Sequence, residues 1–307
     1  MKKSKIFLSA AVIPALLLTG CNLDDPENLD SMDFNVMNHI SPLDSSDEAV
    51  IEEGQYSFTL DMNKGNLFFR NTGFKTVQMG TSFACKTTPF KLSTITDETL
   101  MGSLYSFSMA GDAQSSNSGL SLSNLSGKIS SLSISGGGVI VPGYPMVSNT
   151  TNQLVMKYTL SDKYVVRTFN GDALYGGQTV TTDDSGVGFT SDKMIYRVKI
   201  DPANKKAALI IYECKFSESM PMTLKAIVLE NLTLNVTSTG YVITGNNLTP
   251  MLPEGEELSP FPGFMFEDVN VTTVDSDLTT IKVDYSVRNV RAGSKYTGEF
   301  EGSYVVI

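Results

Sequence analysis

The side chains that carry most enzyme chemistry are scarce in this chain. Among 307 residues there is a single histidine, His39, and there are three cysteines, Cys21, Cys85 and Cys214. A Ser-His-Asp or Cys-His relay needs an imidazole within hydrogen-bond reach of its nucleophile. Here the imidazole falls in an acidic N-terminal stretch, away from the rest of the chain's patterned segments. One histidine also excludes a histidine-rich metal centre. Carboxylates are more plentiful, and Asp61, Glu98, Asp201 and Glu230 recur in two halves of the chain. Paired carboxylates can act as acid and base. Asp at a strand end has a simpler cause, because its side chain bonds the neighbouring backbone. Asp183-Asp184 and Asp275-Ser276-Asp277 supply oxygens but no full calcium ligand series. Gly136-Gly137-Gly138 leads into Val139-Ile140-Val141 rather than a helix, so it does not read as a phosphate cradle. These patterns predict a protein that is not an enzyme, with no catalytic residue, no metal and no cofactor.

The elements that would position any site are strands. Apolar residues make up 41 % of the chain and charged residues 18 %, enough to bury one large core or two ordinary ones. The periodicity is 2 rather than 3.6. Tyr56, Phe58 and Leu60 alternate with polar residues, as do Tyr105, Phe107 and Met109, and then Leu154, Met156, Tyr158 and Leu160. Gly, Asn, Asp and Ser punctuate these runs, as antiparallel turns require.

The chain also repeats when residues 55–171 are laid against 195–302. Tyr56 to Asp61 matches Tyr196 to Asp201, Phe68 to Phe74 matches Ile210 to Phe216, and Pro89 to Leu100 matches Pro221 to Leu232 without a gap. Tyr105 to Gly111 then parallels Tyr241 to Gly245, Leu122 to Leu125 parallels Phe266 to Val269, Tyr158 to Leu160 parallels Tyr285 to Val287, and Phe169 to Gly171 parallels Phe300 to Gly302. An ordered series of this kind points to internal duplication. The expected fold class is all-β: two tandem, sequence-related antiparallel units of the sandwich or barrel type, or alternatively one pseudo-two-fold closed β structure. The expected organisation is a leader over residues 1–20, an acidic tether over 21–53, a first unit over 54–176, a linker over 177–191 marked by Gly177 and Asp183-Asp184-Ser185-Gly186, and a second unit over 192–307.

The N-terminus identifies the leader. Lys2, Lys3 and Lys5 precede an apolar run from Ile6 to Leu18 that ends in Leu18-Thr19-Gly20-Cys21, too short for a permanent anchor. This order of basic, apolar, small and Cys resembles the lipobox of bacterial lipoproteins. The resemblance implies diacylation of Cys21 and cleavage after Gly20. Asn22, Asp24, Asp25 and Glu27 then resemble the acidic export signal of Bacteroides-type surface lipoproteins. That implies an outer-membrane protein displayed outward, the alternative being the periplasmic face.

Charge is unevenly spread. The whole chain has 23 basic and 33 acidic residues for a net of −10, which argues against a nucleic-acid footprint. Ten acids and no Lys or Arg lie between Asn22 and Glu53. Such an arm self-repels and reads as an extended tether whose removal would leave stability unchanged. Cys85 and Cys214 sit at nearly corresponding places, and spacing leaves both pairing and free thiols open, with two buried thiols favoured if the units are separate domains.

Two segments depart from the repeat. One runs from Ala113 to Asn152 and contains Pro142-Gly143-Tyr144-Pro145; the other runs from Asn246 to Phe266 with Pro250, Pro253, Pro260 and Pro262. Proline fixes φ and removes donors, so the second segment reads as stiff and irregular. It makes Phe261 and Phe264, rimmed by Glu256 and Glu257, the candidate ligand or partner surface. The competing expectation is that these rings plug their own barrel. Together the features predict a non-catalytic, lipid-anchored surface module that binds a glycan, a peptide or an envelope partner. A fimbrial or assembly subunit is the first alternative, although no Lys or Arg stands between Cys21 and Gln55 for trimming by arginine-specific cleavage. A carboxylate hydrolase of the envelope is the second.

Overall fold

A computed structural model describes residues 31–44, 48–61, 66–75, 82–86, 90–95, 103–114, 121–133, 140–145 and 150–304. The leader, Cys21, Glu98, Pro89 and the triple glycine at 136–138 lie outside the described residues. Among those described, every regular element is a β-strand, and the chain divides into two compact units. The first comprises residues up to 134 and 149–169; the second comprises 135–148 and 170–305.

The first unit contains β1 (Ser31–Pro42), β2 (Val50–Asp61), β3 (Asn66–Lys75), β4 (Ser82–Lys86), β5 (Phe90–Ile95), β6 (Ser103–Gln114), β7 (Ser121–Ser133), β8 (Thr150–Leu160) and β9 (Tyr164–Phe169). Their antiparallel order β2-β1-β9-β8-β7-β6-β5-β3 is closed by β2 pairing β3, and β4 hangs on β3. The second unit contains β10 (Asp172–Asp183), β11 (Gly188–Ser191), β12 (Ile195–Asp201), β13 (Lys206–Cys214), β14 (Leu224–Val236), β15 (Tyr241–Leu248), β16 (Met251–Glu254), β17 (Glu257–Pro260), β18 (Phe264–Thr273), β19 (Thr280–Asn289) and β20 (Lys295–Tyr304). Here β13-β12-β10-β20-β19-β18-β15-β14 closes through β13 pairing β14, while β11 and the β16–β17 hairpin are additions. Each unit is therefore an up-and-down barrel of eight strands, which leaves no open edge in the ring itself.

The repeated blocks fall on strands of equal rank in the two rings. Tyr56 and Tyr196 are on β2 and β12, Phe68 and Ile210 on β3 and β13, and Leu92 and Leu224 on β5 and β14. Tyr105 and Tyr241 follow on β6 and β15, Leu122 and Phe266 on β7 and β18, Tyr158 and Tyr285 on β8 and β19, and Phe169 and Phe300 on β9 and β20. Cysteines do not keep this rank: Cys214 ends β13 and is a buried free thiol, whereas Cys85 is on the appended β4 opposite Asn71.

Two boundaries expected from sequence are corrected, and each concerns the first strand of its ring. Residues 31–42, assigned to the tether, are β1, which pairs β2 from Ser31 to Ile40 and β9 from Met37 to Pro42. Phe34, Val36 and Ile40 are buried, so this stretch is part of the wall. His39 is buried in it too, with Arg167 Nη1 3.5 Å from its Nδ1. Residues 172–183, split between the first unit and the linker, are β10, which pairs β12 on one side and β20 on the other. The misassignment has a physical cause. Ten acids obscure the Phe34, Val36, Ile40 alternation, and β10 presents Gly177, Thr179 and Thr181 inward where apolar residues mark other strands.

Side chains fill the second barrel, as expected for eight strands. Tyr196 stacks on Phe300 at 4.0 Å between ring centroids, and the Tyr175 and Tyr241 hydroxyls lie 3.4 Å apart. Gly298 leaves room for the Tyr285 ring, which a Cβ there would overlap. A tyrosine pair at matching positions recurs in both rings. In the first, the Tyr56 and Tyr158 hydroxyls lie 3.0 Å apart and Tyr56 donates to Asn38 Oδ1 at 2.7 Å. In the second, Tyr196 and Tyr285 occupy the same ranks and are both buried.

Burial pushes the phenols of Tyr175, Tyr196, Tyr241 and Tyr285 up, that of Tyr241 to about 12. A phenol whose native pKa exceeds its unfolded value near 10 contributes stability that is complete below about pH 10 and lost as pH rises through the native value. Tyrosinate absorbance from Tyr175, Tyr196, Tyr241 and Tyr285 is therefore expected only above about pH 10, together with loss of β-sheet ellipticity. A single smooth titration with the fold intact would contradict this packing.

Candidate functional site

The aromatic segment after β17 does not form an open platform. Phe261 and Phe264 are half-buried and meet at 5.6 Å between centroids. Phe264 also packs at 5.5 Å on Phe216, a fully buried ring that contacts Phe266, Tyr285 and Tyr296. The rings extend the aromatic core outward. Glu256 and Glu257 are exposed, but they lie at the turn of the β16–β17 hairpin, where Glu257 pairs Glu254. Phe261 follows the other end, where Pro260 pairs Met251. Three residue pairs, about 10 Å of strand, separate the acids from the rings. The structure thus brings the two phenylalanines together and leaves the two glutamates elsewhere. The segment is also more regular than its four prolines predict, because β16 and β17 occupy most of it. Phe264→Ser is expected to cost about 2 kcal/mol and Phe261→Ser about 1 kcal/mol, scaled down from full-burial values for half-buried rings. Thermal melting of the two variants checks the order; unchanged melting with lost binding would restore the platform.

The acidic turns are occupied by their own backbone. Asp183 Oδ1 accepts from Ser185 N at 2.9 Å, Ser185 Oγ at 2.6 Å and Val187 N at 2.8 Å, and the Ser185 hydroxyl in particular holds this carboxyl below its ordinary range. Asp275 accepts from Thr279 N and Oγ1 and from Thr280 N. Among the described residues, no three His, Cys, Asp or Glu side chains converge in a way that could hold a metal.

A concave site does form on the outer face of the second barrel. Successive side chains of a strand alternate in and out, so Ala208 and Ile210 of β13 and Ala226 and Val228 of β14 face outward. They are nevertheless buried. Two excursions cover them: Val141 and Tyr144 from the 140–145 turn, and Met251 and Leu258 from the hairpin. Val141 and Tyr144 form an isolated bridge, closed by Tyr144 N donating to Val141 O at 3.0 Å around Gly143 at φ +78°. Glycine suits that left-handed position.

Polar anchors fix the turn. Arg197, on the outer side of β12 and 2 % exposed, donates from Nε to Asp172 Oδ1 at 2.6 Å, from Nη2 to Asp172 Oδ2 at 2.8 Å and from Nη2 to Pro145 O at 2.9 Å. Burial disfavours the charged guanidinium, and the Asp172 carboxylate more than offsets it. Tyr144 Oη donates to Glu230 Oε1 at 2.9 Å, and burial followed by that carboxylate drives the phenol pKa up. Lys199 Nζ lies 5.4 Å from the centre of the Tyr144 ring, within cation–π range.

Between the turn, the β12–β13 connection and Leu258 lies a cleft of about 340 Å³. Lys199, Asp201, Lys206, Glu230 and Asn231 line it beside Pro142, Ala208 and Leu258. Sequence had marked Glu230, Asp201 and the Pro142 to Pro145 run, but not as neighbours. Tyr144 precedes Glu230 by 86 residues and reaches it only through the closed second barrel.

No family model and no curated sequence matches the chain. Among solved structures, it is similar to transferrin binding protein B of Neisseria meningitidis at 7 % identity and a TM-score of 0.26, over 89 % of this chain and 76 % of that one. Transferrin binding protein B of Haemophilus parasuis gives the same values. A protein of unknown function from Nostoc punctiforme is similar at 10 % identity and a TM-score of 0.21, over 91 % and 97 % of the two chains. At these scores the likeness carries no functional assignment.

Proposed function

We propose that the chain is a non-catalytic binding or scaffold module, held at the outer membrane by lipid on Cys21 and displayed outward. The observation that carries the binding role is the outer-face cleft, a concavity whose turn is held at Pro145 O by buried Arg197, itself paired bidentately with half-buried Asp172. Preorganised walls lower the entropy lost when a ligand is captured. The non-catalytic part is supported by how the site's carboxylates are engaged. Glu230 accepts from Tyr144, Asp201 accepts from Asn204 N and Nδ2, and His39 belongs to the first barrel. The lipid anchor and outward display rest on Lys2 to Cys21 and the acids that follow. We also take the two barrels to be copies of one unit, supported by blocks of equal rank and by the recurring tyrosine pair. A crystal structure in which the rings fail to superpose with β2 on β12 would end that view.

The anchor is tested by feeding cells labelled palmitate. The full chain should take up label and the Cys21→Ala variant should not, and protease added to intact cells should degrade the former. An unlabelled wild-type chain overturns the anchor, and a labelled chain resistant to external protease until cells are lysed places it on the periplasmic face.

A further inference from the structure

We infer that the outer-face cleft of the second barrel takes a carboxylated saccharide, its carboxylate between Lys199 and Lys206 and its hydroxyls toward Glu230 and Asn231. This rests on the binding role proposed above and gives it a ligand class.

Two lysines without ion-pair partners among the described residues provide the contact for an anionic group. The chain is acidic overall, yet two ammonium groups line one small concavity. Among the described residues, neither Lys199 nor Lys206 has a carboxylate within ion-pair distance. Lys206 Nζ instead donates to Asn231 O at 3.3 Å, and Lys199 rests over Tyr144. Both cations are thus placed, with donors left over for a ligand oxygen. Two carboxylates, Asp201 and Glu230, share the cleft. They would repel a phosphate dianion more strongly than a carboxylate, so the balance of two cations and two anions favours a singly charged group.

The body of the ligand follows from the remaining walls. Glu230 keeps a second oxygen beyond the one used by Tyr144, and the Asn231 side chain is exposed at the cleft, so hydroxyl groups find both acceptors and donors there. Leu258 supplies an apolar surface for the C–H face of a sugar ring. The volume lies at the small end of ligand sites, room for a short saccharide rather than a chain in depth. A peptide is disfavoured, since peptides commonly pair with an open strand edge. The cleft floor is instead the face of β12–β14, whose backbone groups already pair within the wall.

Calorimetric titration of the full chain in detergent with digalacturonate tests this. Expected is a Kd of about 1 mM or tighter, weakened at least about three-fold when NaCl is raised from about 0.05 M to 0.5 M, because the contact is partly exposed. Carboxyl-reduced digalacturonate should bind at least about ten-fold more weakly, and the Lys199→Ala/Lys206→Ala variant, checked for unchanged circular dichroism, should lose about the same factor. Equal affinity for the acid and its reduced form, no heat at all, or full affinity in the double variant overturns the inference. So does tighter binding of triglutamate than of digalacturonate, which would name a peptide site. Cleavage of digalacturonate by the wild-type chain, lost in Glu230→Gln, would instead overturn the non-catalytic reading and leave the ligand class standing.

Discussion

Deleting residues 31–42 is expected to abolish the folded first barrel, not to trim a tether. β1 pairs with β2 over ten residues and with β9 over six, so its loss opens the ring and exposes two long unpaired edges. It also removes Phe34, Val36 and Ile40, which are 4 %, 8 % and 3 % exposed, from the interior. Phe34→Ala alone should cost about 3–4 kcal/mol, the usual price of an aromatic cavity. Asn38 adds a polar component, because its side chain accepts the Tyr56 hydroxyl, and the deletion would leave that phenol without this acceptor. Denaturant unfolding followed by tyrosine fluorescence and limited proteolysis checks the result. Phe34→Ala should lower the midpoint of the first unit's transition, and the deletion should make residues 50–134 and 149–169 protease-sensitive while 170–304 stay protected. Deletion without effect on either transition would return β1 to the tether.

The second large effect is expected at Gly177. A Cβ there would fall within the van der Waals surface of Glu301 O and 2.8 Å from Gly302 Cα, both backbone atoms of the partner strand. This is where β10 pairs with β20, the first and last strands of the second ring. Neither atom can retreat by a rotamer change, so Gly177→Ala should force the strands apart and cost about 2–3 kcal/mol. Gly188, eleven residues later, is the control. A Cβ at that position meets only Thr181 O at 3.9 Å, and Gly188→Ala should stay within about 0.5 kcal/mol of the parent. Chemical denaturation of the two variants decides the matter; equal midpoints would mean the β10–β20 seam is looser than its register requires.

The same glycine marks the limit of sequence reasoning. Period-2 alternation in segments such as Leu154, Met156, Tyr158 and Leu160 determined an all-β protein, since side chains that alternate in and out of a wall leave that record in any context. The order of matched blocks determined the equal rank of seven strand pairs, because each block carried its own apolar set and turn. Asp183 and Asp275 were legible as turn residues for the same local reason.

The first strand of each ring was not legible. A glycine admitted by close backbone approach and a glycine in a flexible linker are the same letter, and Gly177 differs from Gly188 only through what stands opposite it. Acidic neighbours similarly hid β1, whose few inward residues count only when β9 arrives from about 130 residues away to pair with it. The cleft belongs to this class as well. Tyr144, Lys199 and Glu230 have no spacing that links them, and only closure of the second barrel together with docking of the 140–145 turn on its outer face sets them around one volume. Alternation and turn chemistry act over a few residues and so are written along the chain, whereas ring closure and outer-face burial depend on which distant surfaces meet, and only the tertiary structure decides that.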